Sequence, residues 1–372
     1  MSRAAPWAPA RPRVGRVVLA CALAAGTTVA SAAPSYTLTD LAALQPGHAN
    51  VVRAPNNQGR SGGGGVLVND RGGRRGLVFE GARAAQQVAG SSGSENSTIY
   101  RINDNGALVG AANGASGLRA FSTSAAGATK ELPPLQDDTA SVAFGLNNAG
   151  QAVGFSSGAG GQRAVAWDAA GTPTALAAVS GASSSRANDV SINGDIAGLA
   201  QRDAADRPVL WVAGQSATEL PLLPGDSTGQ ARAVNARGEA VGYTGNAGGI
   251  VRHAVVWTQT GLVTGLGALP GGEFSEAFGI NDSGAVVGAT SSSAGGRAFL
   301  WTRTGGMQDL NALVPPSHVI LIKAVGINNA GAIVAVGHAT PPGGLAAHGP
   351  GDDHALHDLP VRVFLLRPVG AP

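Results

Sequence analysis

The chain is short of the residues that most often carry chemistry. Of its 372 residues, one is cysteine (Cys21), two are methionine and two are lysine, Lys130 and Lys323. A single cysteine excludes an intrachain disulfide and a cysteine-rich zinc site. Aromatic residues make up 4% and charged residues 13% of the chain. Charge this sparse excludes a salt-bridged coiled coil or a binder working through a polybasic surface, so no nucleic-acid partner is expected. No apolar run reaches the ~18 residues of a membrane helix, and no integral membrane segment is expected in the mature chain. What the sequence has in quantity is turn-forming residues, 57 glycines and 21 prolines, on a background that is 44% hydrophobic. That combination points to many short elements joined by tight turns.

Residues 1–32 read as a secretory signal peptide. Arg3, Arg11, Arg13 and Arg16 form a basic start, Val17 to Ala25 is apolar, and Val29-Ala30-Ser31-Ala32-Ala33 supplies small residues for cleavage. A lipoprotein site at Cys21 is the weaker alternative, because only four residues separate Arg16 from Cys21. The segment holds four arginines and no acid, so its removal turns the formal charge from +2 to −2. A secreted or periplasmic location follows, with residues 33–372 as a single domain.

That domain is a repeat with a step near 44 residues. The motif G-L-N-N-A-G-Q-A-V-G at Gly145–Gly154 recurs as G-I-N-D-S-G-A-V-V-G at Gly279–Gly288, with weaker copies from Ala54, Arg101, Asp189, Ala233 and Gly326. The turn glycines Gly59, Gly106, Gly150, Gly194, Gly238, Gly284 and Gly331 are 47, 44, 44, 44, 46 and 47 residues apart. A cationic column (Arg75, Arg119, Arg163, Arg207, His253, Arg297, Arg362) and an aliphatic one (Leu41, Val88, Leu132, Leu176, Leu220, Leu266, Leu310) keep nearly the same step. Trp167, Trp211, Trp257 and Trp301 stand four places after their cations.

Each unit contains four short strand-like segments, the first two joined by a turn such as Asn147-Asn148-Ala149-Gly150. Around Trp167 large and small residues alternate, with Arg163, Val165 and Trp167 on one face and Ala164 and Ala166 on the other. No stretch has a helical period. Four-stranded repeats of this length predict an all-β, seven-bladed β-propeller. The aliphatic column starts before the first turn glycine. The chain therefore opens with a fourth strand (Tyr36–Leu44) and finishes with a third (Val361–Leu366), and their pairing is expected to close the ring and remove its edges.

The strings A-F-G-I-N-D-S-G-A-V-V-G at Ala277–Gly288, R-A-F-L-W at Arg297–Trp301 and D-L at Asp309-Leu310 resemble the HAF family of extracellular repeats. His253-Ala254-Val255 comes nearest the family tripeptide, and the similarity spans residues 36–366. The resemblance implies a secreted bacterial repeat protein without an assigned reaction or ligand. It transfers no catalytic residue.

Four sets of candidate site residues remain. The Asn/Asp turns offer too few carboxylates for calcium and read as hydrogen-bonded hairpins. The Arg/His column reads as structural, through hydrogen bonding or stacking between blades. Asp137, Asp138, Asp203, Asp206, Asp226, Glu273 and Glu276 fall on the side where second-to-third loops and blade connections emerge. Paired carboxylates there would suit general acid–base work, but no nucleophile recurs beside them and solvated loop acids are the plainer reading. Finally, Gly331 to Arg362 spans 31 residues against 13 in four other repeats, a His/Asp-rich loop insertion over residues 338–358. His338, His348, His354 and His357 with Asp352 and Asp353 are the candidate ligands for a divalent metal such as zinc, nickel or copper. No other cofactor is expected.

The sequence thus points to a monomeric, non-catalytic binding or scaffold module that meets an extracellular polysaccharide or protein through its loop face. The alternative is a propeller hydrolase or lyase acting on extracellular polysaccharide. Amino-terminal sequencing of the exported protein should begin near Ala33; an exported form retaining Met1 would refute the signal assignment.

Overall fold

A computed structural model describes residues 36–41, 47–67, 74–81, 86–88, 96–114, 117–213, 216–339 and 361–370. Residues 1–32, expected to be a signal peptide, lie outside them, and all described residues belong to one compact unit. They form seven four-stranded antiparallel sheets, with a single 3-10 turn, Leu310–Ala312, as the only helical element among them. No helix among the described residues is long and apolar enough to cross a membrane. First strands of neighbouring blades touch one another all the way round, from Gly47–Pro55 in blade 1 to Val319–Ile327 in blade 7 and back. They therefore surround a central axis. The protein is a seven-bladed β-propeller.

The two ends of the chain make the last blade together. Tyr36–Asp40 pairs antiparallel with Val361–Pro368, Tyr36 opposite Pro368 and Asp40 opposite Phe364, as the fourth strand of the sheet that begins at Val319. Of the expected strand Tyr36–Leu44, Tyr36–Asp40 is observed, and residues 42–44 lie outside the described residues. Leu41 still donates its amide to the Val363 carbonyl at 2.8 Å, and its side chain is buried between blades 7 and 1.

Blades adhere through seven apolar clusters, one per interface. Between blades 2 and 3, Val109, Ala120 and Leu132 meet Val165 and Trp167, whereas Ala164 faces blade 4. Large residues on one face and alanine on the other let twisted sheets sit close. Each member of the aliphatic column joins a different interface, from Leu41 between blades 7 and 1 to Leu310 between blades 6 and 7. Trp167, Trp211 and Trp257 donate their indole N–H groups to the carbonyls of Pro133, Ala177 and Pro221, just past the preceding blade.

Most of the cationic column is engaged inside its own blade. Arg119 pairs with Glu131 at 3.1 Å, Arg207 with Glu219 at 4.0 Å, Arg297 with Asp309 at 3.6 Å and Arg362 with Asp40 at 2.5 Å. Each acid directly precedes the aliphatic residue of the fourth strand. In blade 7 that acid comes from the other end of the chain, so the same ion pair fastens the closure. Contacts beyond the blade also occur, as Arg119 donates to the Thr139 carbonyl at the start of blade 3.

The Asn turns do more than reverse the chain. Asn147 Oδ1 accepts the amides of Ala149 and Gln151, and Gly150 (φ 83°) donates to the Asn147 carbonyl. This fixes the side chain and leaves Nδ2 free to donate to the Ser191 carbonyl of the next blade at 3.1 Å. Equivalent bonds run from Asn56 to Asn103, Asn103 to Asn147, Asn235 to Asn281, Asn281 to Asn328 and, across the chain ends, Asn328 to Asn56. A second layer has the amides of Asn57, Asp104, Ala236, Asp282 and Asn329 donating to side chains of the next blade. Both layers lapse at blade 4, where Ser191 and Ile192 take the places of Asn and Asn/Asp. A serine hydroxyl can accept the Asp195 amide, but it is too short to reach blade 5 as well. Ser191→Asn should supply the missing bond and add about 1 kcal/mol of stability. A urea midpoint unchanged or lowered in that variant would contradict the stapling role.

Candidate functional site

The axis is furnished by an irregularity shared by all seven blades. In blade 3, Ala143 pairs with Gly154 and Gly145 with Val153, so Phe144 is skipped in a β-bulge. Tyr100, Asn188, Arg232, Phe278 and Val325 are skipped in the same way, and in blade 1 the break includes Arg53. A bulged residue escapes strict alternation and re-aims its side chain; these seven all line a cavity of about 300 Å3 on the axis. The bulge also explains the glycine closing the A-V-G motif. A Cβ on Gly154 would lie 1.9 Å from the Val142 carbonyl oxygen, and one on Gly288 2.1 Å from that of Glu276. Only glycine allows the second strand to pass so near the bulge.

Cations stand on aromatic rings around this cavity. Arg53 lies 4.9 Å from the Tyr100 ring, Arg186 5.6 Å from Phe144 and Lys323 3.8 Å from Phe278. Arg232 approaches both Phe278 (4.9 Å) and Tyr243 (5.4 Å), and Arg252 takes Tyr243 at 4.4 Å. Carboxylates are fewer. Glu276 holds Arg252 at 2.9 Å and also pairs with Arg232, and Asp189 faces Arg101 at 3.4 Å. Among the described residues, Arg53, Arg186 and Lys323 pair with no carboxylate. Burial pushes the Lys323 ammonium below its ordinary value, with the charge of Arg232 adding to it. Burial likewise lowers Arg53, Arg186 and Arg232, though a guanidinium keeps its charge.

Residues singled out from the sequence lie mostly away from this cavity. Asp138 is bound by Arg163 (2.9 Å) and Ser156 (2.6 Å), Asp206 by Gln230 (2.6 Å), and Asp226 by Thr244 and His253. Glu276 is buried in its arginine pair, while Asp137, Asp203 and Glu273 remain exposed or in turns. Asp138, Asp206, Asp226 and Glu276 thus each make local contacts of their own. His338 belongs to strand Ile333–Ala339, opposite Ile320 and Val361, with 6% of its surface exposed. Sheet pairing therefore takes in the first residue of the expected insertion. His348, Asp352, Asp353, His354 and His357 lie outside the described residues. Among the described residues no three His, Cys, Asp or Glu side chains gather as a metal site. Sequence reading missed the cavity. The available signals were two mixed inner-strand columns, one six residues before each turn glycine (Arg53, Tyr100, Phe144, Asn188, Arg232, Phe278, Val325) and one eight before, which includes Arg186, Glu276 and Lys323.

No family model matches the chain, and no curated protein matches it. Solved structures do. A streptogramin B lyase is similar at 10% identity over 90% of this chain and 98% of its own, with a TM-score of 0.52. Virginiamycin B lyase from Staphylococcus aureus matches at 10% identity over 90% of this chain and 99% of its own, TM-score 0.52. A prolyl endopeptidase structure matches at 9% identity over 80% of this chain and 47% of its own, TM-score 0.56. The likeness is one of fold.

The cavity lining includes a buried carboxylate, that of Asp189. Asp189 Oδ2 accepts the Val234 amide at 3.3 Å, but Oδ1 has no hydrogen bond despite its nearness to Arg101. Burial raises its carboxyl above the ordinary value, outweighing the attraction of Arg101. A raised carboxyl favours folding below its unfolded value and loses that advantage as pH rises through the folded one. Asp189→Asn mimics the protonated form. Its melting temperature relative to the unsubstituted protein should therefore increase between about pH 4 and pH 8. The opposite trend in a melting series would mean that Arg101 dominates.

Proposed function

We propose that the protein is a non-catalytic binding module, secreted or periplasmic, whose ligand sits in the axial cavity instead of on the loop rims. One observation carries this reading: every blade breaks its ladder at the same equivalent position, and the side chains of all seven residues there line one cavity. The columns that hold blades together repeat the same residue types, whereas the axial column differs from blade to blade. Packing asks for uniformity at interfaces; a shaped seat asks for a different side chain at each position around it. Polysaccharide and protein segments are the partners in view. The repeat motifs further support placing the chain with HAF-type extracellular repeat proteins.

A glycan and peptide array probed with the mature protein tests the reading alongside two plugged variants, Val325→Trp and Asn188→Trp. Ligands bound by the unsubstituted protein should be lost, by at least about tenfold in affinity, in whichever variant keeps its melting temperature. Binding that survives the plug would return the site to the loops. Product release from a bound polysaccharide would overturn the non-catalytic part.

A further inference from the structure

We propose that the axial cavity takes a compact, multiply charged anion, its charge borne by carboxylate or phosphate groups; this rests on the cavity being the binding seat. The local charge balance is the first argument. Arg101 is offset by Asp189, and Glu276 offsets one of Arg232 and Arg252. Arg53, Arg186, Lys323 and one guanidinium of that pair have no direct carboxylate partner among the described residues; Arg186 feels Asp206, and Lys323 feels Glu276, only from farther away. The four cations come from blades 1, 4, 5 and 7 and are close enough to act on one another. Arg232 disfavours the charged forms of Arg53, Arg186 and Lys323, and Arg53 does the same to Lys323. Like charges held together away from water weaken a fold unless an anion joins them.

The second argument is how the cations are held. Aromatic rings occupy their faces, an arrangement that restrains a guanidinium without using its in-plane N–H donors. Arg53 Nε and Arg232 Nε are buried with no hydrogen-bond partner. Unused buried donors of this kind suit the oxygens of carboxylate or phosphate, which guanidinium groups bind in pairs. Third is size. A cavity of about 300 Å3 is at the small end of ligand pockets, which fits a small polyanion or the charged terminus of a larger molecule.

Calorimetric titration of the mature protein with citrate and with pyrophosphate tests the proposal and separates the carboxylate source from the phosphate one. Acetate and a neutral polyol, xylitol, are the controls. At least one polyanion should bind about tenfold or more tightly than acetate, weaken with added salt, and lose at least about tenfold in affinity in the double variant Arg53→Gln/Lys323→Gln. Without ligand, that variant should melt at the same temperature as the unsubstituted protein or higher, because it removes repulsion; a structural role for the two cations would lower it. Three results overturn the proposal: no preference for polyanions over acetate and xylitol, equal affinity in the double variant, or a lower melting temperature of that variant without ligand. Neutral array ligands that are sensitive to the plug, with neither polyanion bound, would leave the cavity as the seat and remove only the anion. Array ligands indifferent to the plug would remove the seat itself.

Discussion

A four-stranded blade presents two apolar faces and covers neither by itself, so the molecule depends on ring closure. Each of the seven apolar clusters takes residues from two blades. Without Tyr36–Asp40, blade 7 would expose the edge of Val361–Pro368. Closure reuses the chemistry of the other blades. Arg362 meets Asp40 where Arg297 meets Asp309, and Asn328 reaches the Asn56 carbonyl as Asn281 reaches that of Asn328. The seam between the chain ends is built like an ordinary interface, and the imperfect one lies at blade 4, beside Ser191 and Ile192. Ile192 is 49% exposed there, whereas Asn57, Asp104, Asn148, Asp282 and Asn329 at the equivalent positions carry side-chain oxygens that accept amides of the preceding blade.

Seven blades also leave a hole, and the inner strands respond to it. Regular alternation would give each first strand two faces for two neighbouring blades and none for the axis. The bulge adds a third direction, and the glycine opposite it, as at Gly154, accommodates the extra backbone. Structure and candidate function therefore share one local feature. The motif that identifies a blade in the sequence is the same one that turns Phe144 or Phe278 inward.

Around the axis the aromatic and cationic residues support each other. Tyr100, Phe144, Tyr243 and Phe278 give Arg53, Arg186, Arg232, Arg252 and Lys323 an electron-rich surface in place of water. A chain with few aromatics and two lysines thus places an unusual share of both in one small volume. The loop acids, by contrast, fall at blades 3 to 6, and Asp138, Asp206 and Asp226 are each matched to a local partner, Arg163, Gln230 and His253.

Blade number, strand count and the pairing of the chain ends were all legible in the sequence, because each is a one-dimensional property: columns that recur with a fixed step, and a column that begins before the repeat does. The Asn turns were legible as turns for the same reason, since Asn147 and Gly150 act within four residues. The staple from Asn147 to Ser191 was not, because it spans 44 residues. Nor was the axial cavity. In A-F-G-L-N the phenylalanine sits among alternating residues that look like any half-buried strand, and only the register against the second strand shows that Phe144 is skipped. Arg53, Arg186, Arg232 and Lys323 occupy two different columns in four blades. Their shared electrostatics exists only once closure brings the first strands around one axis, since charge acts through distance in space and not along the chain.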